Sequence, residues 1–372
     1  MMKRLDPTYQ VLYSELADRV LDAAFSAEFS LDGRFITQQS GARRYWYFDT
    51  AAGEGPGKRR RYVGPVDDPE ITRRVEAFKD LKADHRARRK LVSTLVREAY
   101  LPRPESTTGA VVDALARGGF FRLRGVLVGT VAYQTYSALL GVRLPQAILQ
   151  TGDADFAQFH AVSAAVKDET APVLELLREV DATFREVPHP ADSRRSTAFV
   201  TRSGFRVEFL TPNTGSADHD GAPAPMPALR GAAAQPLRFL DFLIRDPVRA
   251  VLLHDAGVGV IVPAPERYAV HKLIVAHRRR TEGEGAAKSA KDLQQSSSLI
   301  EAFIELRRGD DLTEAYAEAW KRGPAWREAI SASLVRLDPD LMGGLVQVLG
   351  ESAQRLGLPM SAVATQARVR RS

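Results

Sequence analysis

Residues 125–156 read GVLVGTVAYQTYSALLGVRLPQAILQTGDADF, and the order of periods along this stretch decides the fold. The apolar run from Val126 to Val128 suits a buried strand, and it stops at Gly129-Thr130, beyond which the apolar spacing turns helical. That spacing predicts a helix over roughly 131–140, ended by Gly141. A second apolar run, Ala147 to Leu149, then delivers Thr151, Asp153 and Asp155. Side chains two apart on a strand share a face, so Asp153 and Asp155 hold their carboxylates together while Ala154 faces away. Adjacent carboxylates repel each other, and a divalent cation relieves the repulsion; Mg²⁺ is commonly held by one or two carboxylates together with substrate phosphates. The backbone N–H groups of Gly129, Thr130 and the first helical turn form an anion site at the positive helix end. Either piece alone is also what a tight turn or an acidic loop supplies. In this order they place metal and phosphate sites side by side, which is the chemistry of phosphoryl transfer.

A third acid extends the pattern. Thr197 to Thr201, the turn Arg202-Ser203-Gly204 and Phe205 to Leu210 read as a hairpin whose second strand alternates Phe205, Val207 and Phe209 with Arg206 and Glu208. Glu208 either faces the Asp153/Asp155 side or makes a salt bridge with Arg206 on its own face, since a buried glutamate without a partner costs several kcal/mol.

The remaining chain supplies bounds. Its 372 residues allow two or three domains, and a hydrophobic content of 44% is ample for a core. No run of about 18 apolar residues occurs and the first residues mix charges with apolar groups, so a cytoplasmic protein with no membrane partner is expected. The absence of cysteine excludes disulfides, thiolate metal sites and a cysteine nucleophile. Net charge is +6 and the pI about 9.5, with basic runs at Lys58-Arg59-Arg60-Arg61, Arg86 to Lys90 and His277 to Arg280. Such runs attract polyanions, although a solvated helix face is the commoner explanation of any one of them.

In chain order, 9–29 has helical spacing, and Phe35 to Thr37, Tyr45 to Phe48 and Arg59 to Val63 form a small antiparallel sheet. From Asp68-Pro69 a long charged helix runs towards Tyr100, stopped by Leu101-Pro102-Arg103-Pro104. A short helix at 109–117 precedes the central stretch, and another at 170–180 follows it. The Gly-, Ala- and Pro-rich segment 211–236 is expected to be loop, and Asp218-His219-Asp220 within it reads as solvated residues. Apolar runs at 237–244 and 258–262 lead to Pro263-Ala264-Pro265, after which everything is helical. The expected domains are 1–104, a helical region with a small sheet and a long basic helix; 105–265, the core; and 266–372, helical.

The ordered set V-G-T, T-G-D-A-D, V-E-F-L-T-P, P-A-P-E-R-Y-A-V-H-K-L and K-D-L-Q-Q resembles bacterial nucleotidyltransferase-fold proteins of the polymerase-beta-type superfamily. More distantly it is similar to the nucleotidyltransferase toxins of abortive-infection systems. The resemblance implies an α+β fold, a mixed sheet flanked by helices. It also implies that Gly129, Thr130 and Thr151 bind nucleotide, and that Asp153, Asp155 and Glu208 are the catalytic, metal-holding acids for Mg²⁺ or Mn²⁺. Lys272 takes the place of a phosphate-facing lysine, and Lys291 with Asp292 that of the last motif. Three departures are visible: the superfamily usually has Gly-Ser at the turn, a shorter helix before the acidic pair, and more often Asp as third acid. The activity implied is transfer of NMP from an NTP to a hydroxyl of RNA, protein or a small molecule. A binding protein that keeps the fold without catalysis is the alternative.

Overall fold

The computed structural model describes residues 2–23, 33–40, 43–49, 60–145, 152–165, 169–213, 221–279 and 284–363. The amino-terminal part is a helix α1 (Pro7–Ala23), a three-stranded antiparallel sheet of β1 (Arg34–Ser40), β2 (Arg43–Asp49) and β3 (Arg60–Pro65), and the long helix α2 (Pro69–Arg97). The two halves of α2 pack against different partners. Near its start Phe78 packs edge-on against Phe35 and Phe48, with ring centroids 5.0 and 5.8 Å away, and the Trp46 indole N–H donates to Thr72 Oγ1 at 3.0 Å. Towards its end Val92, Leu95 and Ala99 join Leu5, Tyr13, Leu16 and Val20 of the amino-terminal segment in a second core cluster. A 29-residue helix that is polar on average is thus held by packing at both ends, because neither end is apolar enough to stand alone.

Helix α3 (Ser106–Arg117) leads to the main sheet. Its strands are β4 (Val126–Val128), β5 (Asp153–Ala157), β6 (Arg185–His189), β7 (Asp192–Val200), β8 (Arg206–Pro212), β9 (Ala224–Pro225) and β10 (Ala233–Leu237). The intervening helices are α4 (Gly129–Leu140), α5 (His160–Ala165) and α6 (Val173–Arg178). Strand β5 lies antiparallel to β4 and parallel to β8. On its other edge β8 carries β7 along its first residues and β10 along its last. The buried face of the sheet is aromatic: Phe156 stacks on Phe209 at 5.8 Å, and Phe120 and Phe199 meet them edge-on.

Helix α7 (Leu240–Leu243) and the hairpin of β11 (Val248–Leu252) and β12 (Val258–Val262) follow, then α8 (Pro265–Arg278), α9 (Glu284–Glu305), α10 (Gly309–Lys321), α11 (Pro324–Leu334) and α12 (Pro339–Arg355). The fold is α+β, a mixed sheet flanked by helices. Three segments differ from the sequence reading. The expected loop 211–236 contains β9 and β10: Ala233 and Ala234 are buried and pair with β9, and Gln235 to Leu237 pair with β8, which overrides a weak local strand preference. Strands β6 and β11 also escape a period reading, because β6 is largely exposed and β11 is short and interrupted by Arg249. Among the described residues no helix is long and apolar enough to cross a membrane.

Candidate active site

Strand β4 is fully buried, and its last residue, Val128, pairs with Asp155. Gly129 then turns the chain with φ +66°, a conformation that costs other residues about 1 kcal/mol. A Cβ at this position would lie 2.5 Å from Asp155 Oδ2, so only glycine lets the turn lie so close against the carboxylate. The N-cap of α4 is Val128, which offers no side-chain acceptor, so the first-turn N–H groups remain for an anion. Gly129 and Thr130 are half-buried at the rim.

Asp153 and Asp155 alternate with the buried Ala154 and Phe156, which turns both carboxylates to one face. Glu208 sits in register with Asp155 on the neighbouring strand, and Arg206 with Asp153. Both readings of Glu208 hold together. It is on the face of the acidic pair, and its Oε1 accepts from Arg206 Nε. Burial pushes the Asp155 carboxyl up to about 7, reinforced by the charges of Asp153 and Glu208 and opposed by Lys272 and Arg279. Among the described residues no three histidine, aspartate or glutamate side chains are gathered tightly enough to hold a metal ion.

The opposite wall is basic and comes from α8 and α9. Lys272 is buried; it pairs with Asp292 Oδ1 and lies 5.1 Å from the centre of the Tyr268 ring, whereas Arg279 pairs with Asp292 Oδ2. Burial pushes Asp292 up, but the two cations outweigh it and hold its carboxyl low. Lys291 is held low by burial and by Lys272, with Asp153 and Asp292 acting the other way, which places it within electrostatic reach of the acidic pair. The neighbouring His271 is buried with an unpartnered Nδ1, and burial together with the Lys272 charge brings it down to about 3, so it is neutral.

Tyr268, to which sequence reasoning gave no role, also reaches the site. Its hydroxyl lies 3.0 Å from the Gly129 carbonyl and 2.9 Å from the Gln295 side-chain oxygen. One hydroxyl proton serves one acceptor at a time, so the Gly129 carbonyl and the Gln295 side-chain oxygen share the Tyr268 hydroxyl as their donor. Tyr268 also packs against Tyr133 and Tyr136 at 5.8 and 5.1 Å. The only sequence signal was a tyrosine one turn before His271-Lys272, which carries no role by itself. The structure therefore brings Gly129, Thr130, Asp153, Asp155, Glu208, Lys272 and Lys291 to one region. Thr151 and Asp218-His219-Asp220 lie outside the described residues.

A family model described as Nucleotidyltransferase matches residues 106–321, more than half of the chain. That span begins at α3 and ends with α10, and it contains every element of the site. No curated protein and no solved structure matches the chain.

Proposed function

We propose that this chain, which belongs to the nucleotidyltransferase family, transfers NMP from an NTP to an acceptor hydroxyl and releases pyrophosphate in a metal-dependent reaction. The observation that carries the reading is Asp155, wedged between the Gly129 turn and two further acids while facing a basic wall. Burial and the charges of Asp153 and Glu208 raise the proton affinity of Asp155, which suits a hard divalent cation, and Mg²⁺ takes only one or two protein carboxylates when substrate phosphates complete its shell. Asp153 and Asp155 would hold it, and Glu208 would join them once freed from Arg206. When bound, the ion supplies charge neutralisation on the phosphates and a lowered pKa at the acceptor hydroxyl.

The protein's own part is positioning and electrostatics. The α4 N-terminus receives phosphate oxygens at Gly129 and Thr130, and Thr151 keeps the nucleotide-binding role that the family resemblance implies. Lys272 and Lys291 add point charges to the β- and γ-phosphates. The Tyr268 hydroxyl fixes the peptide that presents the turn. Glu208, on the strand beside Asp155, accepts the proton of the attacking hydroxyl. Incubation with each α-labelled NTP, Mg²⁺ and cell extract tests the reading: label enters RNA, protein or small molecules with wild type and not with Asp153→Ala. Label that enters none of these, or enters equally with the variant, refutes it.

A further inference from the structure

The net charge of the chain is concentrated far from the acids in sequence. Residues 34–61 hold seven Lys or Arg against two acids, Asp49 and Glu54, a net +5 out of the chain's +6. All other residues together carry only +1. The stretch covers β1, β2, the start of β3 and the connections between them, and it lies outside residues 106–321 that the family model matches. Nothing in the transferase chemistry calls for this charge, and a surface so basic draws a polyanion.

Strand pairing sorts the side chains of β1 and β2 onto two faces. Phe35 pairs with Phe48 and Thr37 with Trp46, and α2 covers that face through Phe78 and Thr72. Ile36 pairs with Tyr47 and Gln38 with Tyr45, so these four stand on the face turned away from α2. Packing on α2 is thus served by Phe35, Phe48 and Trp46, whereas the two tyrosines are half-buried on the other side, next to an exposed Gln38. Positions two apart on a strand set the rings about 7 Å from each other, so each can take a base of its own. One row farther along the same face Arg34 is exposed.

Charge alone does not choose among polyanions; the rings and the amide do. Flat bases stack on tyrosine rings, which acidic side chains and lipid headgroups cannot do. The Gln38 amide both donates and accepts, which suits the 2′-hydroxyl that tells RNA from DNA. We infer that the tyrosine face of the β1–β3 sheet binds single-stranded RNA, with bases on Tyr45 and Tyr47, a phosphate on Arg34 and a 2′-hydroxyl on Gln38. The inference is independent of the transferase reading, since it asks nothing of Asp153, Asp155 or Glu208.

The test is fluorescence anisotropy of the full chain with end-labelled oligo-uridine and oligo-deoxyuridine, in EDTA and without NTP, over a range of salt. Tyr45→Ala/Tyr47→Ala is expected to weaken oligo-uridine binding about 30-fold, whereas Tyr45→Phe/Tyr47→Phe keeps the rings and stays within about twofold of wild type. Arg34→Gln, a surface change that leaves the sheet folded, is expected to flatten the salt slope by about 0.7, the share of one phosphate contact on a single strand. Wild type is expected to prefer oligo-uridine about tenfold, and Gln38→Ala to lose that preference. The main competing surface is the exposed side of α2 with Arg86 and Lys90, and Arg86→Gln/Lys90→Gln is expected to bind within about twofold of wild type. Equal binding by wild type and the Tyr45/Tyr47 alanine variant overturns the inference, and so does a loss that follows Arg86 and Lys90 instead. Oligo-deoxyuridine bound as tightly as oligo-uridine overturns the choice of RNA. Co-sedimentation with phosphatidylserine vesicles in place of oligonucleotide binding overturns it in favour of a membrane surface. Transfer of label by a chain that binds no oligo-uridine sinks the inference and leaves the transferase, and binding through Tyr45 and Tyr47 without transfer does the reverse.

Discussion

Replacing Gly129 with alanine separates the backbone role of this residue from its closeness to the acid. Two costs arise. The left-handed φ of +66° costs alanine about 1 kcal/mol in stability. The new Cβ would sit 2.5 Å from Asp155 Oδ2, so the carboxylate has to retreat by roughly 1 Å to reach van der Waals contact. A displacement of that size at a reacting centre costs about 100-fold in rate, or about 2.7 kcal/mol. Gly141→Ala is the matched control. It has the same φ of +66°, but its Cβ meets the end of the Gln10 side chain at 3.0 Å, which can swing away. Urea denaturation is expected to show both variants destabilised by about 1–2 kcal/mol. Transfer of α-labelled NMP is expected to fall about 100-fold for Gly129→Ala and less than twofold for Gly141→Ala. Equal activities in the two variants refute the argument that the turn is fitted to Asp155.

Three further outcomes follow from the geometry. Asp155→Asn removes a carboxylate that burial and two like charges disfavour, so the metal-free protein is expected to gain about 1 kcal/mol at pH 8 in urea titration while NMP transfer is abolished. A loss of stability instead would show that Asp155 is compensated by the basic wall. Tyr268→Phe deletes the donor to the Gly129 carbonyl and is expected to cost about 1 kcal/mol of stability and to raise KM for NTP, with kcat/KM falling about tenfold; unchanged kinetics exclude a role in holding the turn. Away from the site, Glu318 of α10 accepts from Arg267 and Arg322 at 2.7 Å each, and these bonds outweigh the burial that would raise it, bringing its carboxyl from 4.5 down to about 2. A lowered acid stabilises the fold above its unfolded value and loses that contribution as pH falls from about 4.5 through 2. Glu318→Gln is therefore expected to lower stability at pH 7 by about 1–2 kcal/mol after solvent screening, with the difference from wild type closing across that interval. A difference independent of pH assigns the effect to packing.

Much of the site was written in local pattern. The change from strand to helix at Gly129, the stop at Gly141, and the two-residue spacing of Asp153 and Asp155 depend only on neighbours in sequence, and each appears where the pattern put it. The alternation around Glu208 fixed its face for the same reason. Sequence left open whether Glu208 meets the acids or Arg206, since strand register across 50 residues has no local signature.

By itself, then, the sequence determined the periods, the acidic face and the glycine turn, because these follow from backbone stereochemistry and side-chain alternation. Only the tertiary structure decided that β10 pairs with β8, that the Tyr268 hydroxyl reaches the Gly129 carbonyl and Gln295, and that Arg206 and Arg185 stand in one row with Asp153. Those contacts join segments far apart in the chain, and their energies come from burial and pairing that no window of neighbouring residues contains.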